Sequence, residues 1–148
     1  MTWKKGRGKL GPFSNLLGSW ICNKGSKDRT KPECTRVFEK HLDGKYIKLT
    51  VSWNLGDKSY DELCMIGVTR DKEVNFWSFT SDGKNARGWM ADVTDVHPEA
   101  IGFEADMPPG RARQAYYPHE DGGFVWVVES QTKKGWNRFV EQHFTANG

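Results

Sequence analysis

Four histidines are the first residues to test for chemistry: His41, His97, His119 and His143. No two of them stand in a His-x-His or His-x-x-x-His spacing, so they do not spell a zinc site. Cys22, Cys34 and Cys64 include no Cys-x-x-Cys pair, and an odd number leaves one thiol over even if two bridge. Asp61 and Glu62 are adjacent, so on a strand they point to opposite faces and cannot act as a carboxylate pair. Asp92 with His97, or Tyr117 with His119, could meet near the mouth of a barrel, but neither spacing is that of an acid–base or nucleophile unit. Ser19 and Ser78 have no histidine close in sequence, and Gly6-Arg7-Gly8 opens no strand–helix unit that could cradle a phosphate. No catalytic residue and no metal-ligand set is assigned on these grounds, and no cofactor is required.

The elements that would carry these residues are almost all strands. Turn signals recur roughly every 11–15 residues, the rhythm of an up-and-down β structure. They predict strands near 18–24, 33–41, 45–55, 59–68, 73–80, 86–94, 99–105, 111–118, 124–130 and 136–145. The third is the clearest: Ile47, Leu49, Val51, Trp53 and Leu55 alternate with Tyr46, Lys48, Thr50, Ser52 and Asn54. Asp43-Gly44 is a strong hairpin signal and Pro108-Pro109-Gly110 a firm break. Residues 12–17 make one helical turn with Phe13, Leu16 and Leu17 on one side, placed as a plug across a barrel end. Residues 1–11 read as a loose basic arm, and 25–32 as a polar loop. No β–α alternation appears, which argues against a parallel sheet.

A chain of 148 residues is expected to form a single domain, 1–148, with a substantial core. Its net charge of +3 is too mild and too scattered for a nucleic-acid binder. The one basic and aromatic stretch, Arg111-Ala112-Arg113 with Tyr116-Tyr117, is diluted by acidic residues on the other strands. No signal peptide or apolar run long enough to span a bilayer is visible. With three cysteines read as buried free thiols, residence in the reducing cytoplasm is expected, with neither nucleic acid nor membrane as a partner. Exposed apolar residues on strand faces, such as Ile66 or Phe79, make a homodimer a further expectation.

Consecutive strands joined by short turns pair in order, and closing the sheet removes both exposed edges. The sequence therefore predicts an all-β, up-and-down antiparallel β-barrel of about ten strands. A two-layered sandwich, which needs longer crossing connections, is the alternative. Gly18-Ser19-Trp20 in the first strand, after a Leu-rich turn, with Arg138 on the last strand, resembles the opening and closing motif of the lipocalin-like (calycin) barrels. By layout the chain is most similar to bacterial lipocalin-like families of unknown function. The resemblance implies that Trp20 lies across the barrel floor and that Arg138 packs over it. Both would be structural, closing the container without touching its contents.

Alternation assigns the interior wall to Val51, Trp53, Met65, Phe76, Trp89, Phe103, Tyr117 and Trp126. Polar groups of Arg113, Gln114 and Tyr117 would orient a ligand there. Face parity is open in the fourth, fifth and eighth strands, because one bulge flips it. The function expected is non-covalent binding of a small, mostly apolar molecule inside the barrel. An enzyme using the same cavity for acid–base chemistry is the second expectation. The third is a haem barrel similar to nitrobindin, with His143 as the ligand. Against haem, Cys22 and Lys24 stand where nitrobindin has glycines after its Trp, and His143 has the opposite parity to Arg138.

Overall fold

The computed structural model describes residues 2–23 and 32–147. A 3-10 helix over Gly11–Leu16 precedes ten strands: β1 (Gly18–Cys22), β2 (Cys34–His41), β3 (Tyr46–Asn54), β4 (Ser59–Val68), β5 (Val74–Thr80), β6 (Asn85–Ala91), β7 (Ile101–Met107), β8 (Gly110–Pro118), β9 (Phe124–Thr132) and β10 (Gly135–Ala146). The expected end of the first strand at 24, and residues 25–31 of the expected loop, lie outside the described residues.

Every strand pairs antiparallel with its sequence neighbour, and β1 pairs with β10, so the sheet is a closed barrel. A closed ring, not a sandwich, is the outcome. The seam is short: Trp20 pairs with Ala146 and Ile21 with Thr145, and the Asn147 N–H donates to the Ser19 carbonyl at 2.9 Å. Asp43 and Gly44 take left-handed φ values of 61° and 72° in the turn from β2 to β3, as a tight hairpin turn requires.

One end of the barrel is packed solid. Phe13 and Leu16 of the 3-10 helix are wholly buried, and with Phe38, Phe124 and Phe144 they fill that end with rings. The Trp20 indole N–H donates to the Leu16 carbonyl at 2.7 Å and its ring meets Phe124 edge-on at 5.0 Å, tying the plug to the floor. The N-terminal arm is not loose. The Trp3 N–H donates to Glu99, the Lys4 backbone exchanges two bonds with the Asn15 side chain, and the Gly6 N–H reaches the Gly11 carbonyl. Backbone groups that find such partners, with Trp3 packed on the core, hold a chain whose composition alone reads as frayed.

A second, smaller core lies outside the barrel. The connection from β6 to β7 folds back over β7–β9, and its Val93 and Ala100 bury against Ala115, Val125 and Val127. That cover explains the unbroken apolar run Phe124-Val125-Trp126-Val127: both faces of β9 are dry there. Ile66 is buried in the main core and is no dimer contact, whereas Phe79 faces out and is 53% exposed, opposite the exposed Leu63 on β4.

Candidate functional site

The inward face of each strand changes in size along the barrel. Toward the plug it carries Phe38, Ile66, Phe124 and Phe144; toward the opposite end it carries Ser78, Ala86, Ala105, Ala112 and Ser130. Small side chains at facing positions cannot fill the lumen, and a cavity of about 540 Å³ remains at that end. Its walls are Phe76, Phe103, Trp126 and Val128 with the small residues; Glu62, Ser78, Gln114, Ser130 and Gln131 are polar lining, and Arg111 and Arg113 border it. The Met107–Gly110 turn and Phe139 stand at its rim. Phe139 reaches it through a register shift in β10 between Arg138 and Val140, a bulge that alternation cannot foresee.

Of the eight residues expected on the interior wall, Phe76, Phe103 and Trp126 line the cavity. Val51 and Trp53 have the expected inward parity but belong to the packed core, with the Trp53 ring 6.2 Å from Trp126. Met65, Trp89 and Tyr117 are corrections. In β4 the buried alternation runs through Cys64 and Ile66, which leaves Met65 on the outside, and Glu62 takes the inward position. In β6 the buried position is Gly88, and Trp89 lies outside under the Arg111 guanidinium at 4.9 Å. In β8 Tyr116 faces in, and Tyr117 stacks on His97 from the outer connection at 4.8 Å. All three errors are one-residue slips of parity, each of which turns a side chain to the opposite face.

The expected pairing of Trp20 with Arg138 does not occur. Trp20 sits opposite Ala146 and Arg138 opposite Glu129, toward the other end of β10. At roughly 3.3 Å per residue the two positions are about 26 Å apart along the strand. Arg138 instead joins an outer ion network. Its guanidinium donates to Glu129 at 2.9 Å and to Glu141 at 2.7 Å; Arg113 donates to the same Glu129 at 2.8 Å and clasps Asp95 with two bonds while lying over Trp136 at 4.2 Å. The Arg113 guanidinium is therefore turned to the outer network, although the residue borders the cavity, and it does not take the inward orienting place expected of it.

The cation inside the barrel is Arg36, the cross-strand partner of Trp20 on β2. It is only 2% exposed. Its guanidinium carbon lies 3.9 Å from the Trp126 ring centre, and it donates a 2.7 Å bond to the Tyr116 hydroxyl. Among the described residues its Nε has no hydrogen-bond partner and no carboxylate lies within ion-pair distance of Arg36. Burial pushes the Tyr116 phenol up, against a downward pull from Arg36. Burial likewise pushes the Cys34 thiol up to about 12 and raises Cys64 further. All three cysteines are buried thiols outside any disulfide.

Glu62 accepts a 2.8 Å bond from the Ser78 hydroxyl, and Gln114 accepts a 2.9 Å bond from the Trp126 indole N–H. Sequence reasoning considers Glu62 and Ser78 only as catalytic groups, sets them aside, and misses Arg36. The alternation of Ala105, Phe103 and Gln114, Ala112 across β7 and β8 was the available signal for a hollow end.

His143 lies between the buried Gln142 and Phe144, on the outer face, where its ring stacks on His119 at 3.7 Å and its Nε2–H donates to the Gly122 carbonyl. It does not reach the lumen, so the haem-ligand expectation for it fails on parity. The other suggested pairs have separate partners: Asp92 accepts from Thr94, His97 accepts the Glu99 N–H, and His119 accepts the Asp121 N–H. Among the described residues no group of three or more His, Cys, Asp or Glu is placed to hold a metal.

Among those residues no helix is long and apolar enough to cross a membrane. The closed ten-stranded antiparallel architecture is compatible with a lipocalin-like fold. No protein-family model matches the chain, and no curated protein matches it.

Proposed function

We propose that this protein is a lipocalin-like barrel that binds a small, mostly apolar molecule non-covalently in its lumen, in the cytoplasm. The observation that carries this reading is the cavity of about 540 Å³ between Phe76, Phe103 and Trp126, with a few convergent polar groups. That volume falls within the ~300–1,000 Å³ range of small-molecule sites. Apolar burial would supply the affinity at about 25 cal/mol per Å², less the costs of association. The polar groups would fix orientation.

The reading is tested with native mass spectrometry of the purified full chain and with an environment-sensitive apolar dye. A co-purified small molecule, or saturable dye binding that changes tryptophan emission, is the expected result. Absence of both, at dye concentrations up to its solubility, would remove the proposal.

A further inference from the structure

The cavity contains one carboxylate that nothing around it neutralises at close range. Glu62 points inward from β4, on the same face as the buried Cys64, and its Oε2 accepts from the Ser78 hydroxyl. No Lys, Arg or His of the described residues lies within ion-pair distance of it. The two arginines at the rim are committed elsewhere, Arg111 to Glu104 and Asp106, Arg113 to Asp95 and Glu129. Arg36 is shut out of the cavity wall, lying against the Trp126 ring and bonded to Tyr116. A ligand in the lumen thus meets Glu62 directly.

We infer that the cavity selects apolar molecules that carry one hydrogen-bond donor, a hydroxyl or phenol, and that Glu62 is the residue that reads it. The inference rests on the lumen being a binding site. A carboxylate only accepts hydrogen bonds, so a ligand acceptor placed against it is repelled and a donor is held. A ligand anion would set a second negative charge beside Glu62 in a poorly solvated space, so the ligand's polar group is a donor and not a carboxylate.

The test is calorimetric titration of the full chain with three probes of one skeleton: naphthol, its methyl ether and naphthoate. Naphthol is expected to bind roughly tenfold or more tighter than the ether, the size of effect of one hydrogen bond to a charged acceptor. Naphthoate is expected to bind weakest. Glu62→Leu should abolish the difference between naphthol and ether while leaving ether binding in place, and the isosteric Glu62→Gln, which keeps the fold and an acceptor oxygen, should narrow it. Equal binding of naphthol and ether by the native protein overturns the inference and leaves the lumen as a binding site. Naphthoate binding tightest also overturns it, because the lumen then prefers an anion to a donor beside Glu62. If none of the three binds, the binding reading itself falls and takes the inference with it.

Discussion

The Arg36 guanidinium stacks 3.9 Å from the centre of the Trp126 ring, and that stack divides the barrel into a filled half and a hollow half. Trp126 belongs to the cavity wall; Arg36 does not. A cation so deeply buried without a carboxylate at hand is held by the indole face, worth about 2 kcal/mol when desolvated, and by the Tyr116 hydroxyl. Truncation, Arg36→Ala, is expected to cost about 3 kcal/mol, because it leaves a void and strands the Tyr116 hydroxyl. Arg36→Met fills the void and removes a buried charge, so it should cost clearly less. Denaturant unfolding of both variants decides it: equal losses would show that packing around Trp126 is not what Arg36 supplies.

Two glycines separate backbone crowding from side-chain crowding. A Cβ added at Gly102 on β7 would come 2.0 Å from the Gln114 carbonyl oxygen of the paired strand, which cannot move without breaking the ladder. At Gly67 the added atom would meet the Tyr46 ring at 2.4 Å, and a ring can swing away. Gly102→Ala should therefore lose more than about 2 kcal/mol and Gly67→Ala distinctly less. Thermal melts in which the two fall together would refute this account of β7–β8 contact.

How far the fold was legible follows from these elements. The ten strands, their order and the hairpin at Asp43-Gly44 are written in local patterns of period two and turn residues, and these survive in the structure. Closure follows from edge avoidance once the strands are in sequence order. Parity is different. Met65, Trp89 and Tyr117 were misassigned because β4, β6 and β8 carry apolar residues on both faces; for β8 the reason is that the β6–β7 connection covers its outer side. The Arg138 error has another source: a last-strand arginine was matched by position to a family motif, while Glu129 and Glu141 on the outer face claimed its guanidinium. Adjacency to Asp61 rules Glu62 out as half of a carboxylate pair, yet pointing away from Asp61 is what puts it in the lumen.

The thiols give a prediction with a definite sign. Burial pushes Cys34 up to about 12, against an ordinary value near ~8.5 in an unfolded chain. The folded state therefore holds the proton more tightly than the unfolded one. The stability contribution is fully present below about pH 8.5 and declines as pH rises toward the folded value. Stability measured by denaturant titration should fall between about pH 9 and 11, and Cys34→Ser should flatten the fall. Native protein at about pH 8 should react with an aromatic disulfide reagent only as fast as it unfolds. Rapid reaction of Cys34 in the folded state would contradict its burial.

At the acid end the outer network makes a contribution of the opposite sign. Its bonds from Arg113 hold the Asp95 carboxyl below the usual carboxylate range. A depressed folded value means that the contribution is present above the unfolded value near ~3.9 and is lost as pH falls through the folded one. Asp95 is well exposed, so the effect is modest, but its position gives it a local consequence. It pins the connection that carries Val93 and Ala100 over β8 and β9. Asp95→Asn is expected to increase amide exchange in residues 92–100 at neutral pH and to weaken the dependence of that exchange on pH below about 4. Unchanged exchange there would show that the apolar contacts of Val93 and Ala100 suffice to hold the connection.

The hollow end itself can be tested by filling it. Ala105 faces the lumen from β7 next to Phe103, and Ala112, its partner across the strand pair, is equally small. In a packed core, enlarging an alanine forces strain of about 1–3 kcal/mol. Here the space is already open, so Ala105→Leu adds apolar contact without displacing a neighbour, and stability should stay within about 1 kcal/mol of the native protein. The same substitution takes volume from the cavity, and binding of an apolar dye should weaken roughly tenfold or more. An equal enlargement in the filled half, Val51→Phe, should do the reverse, destabilising the barrel while sparing dye affinity in whatever protein remains folded. If Ala105→Leu proves as destabilising as Val51→Phe, the lumen at this end is closed in solution and small side chains there do not make a chamber.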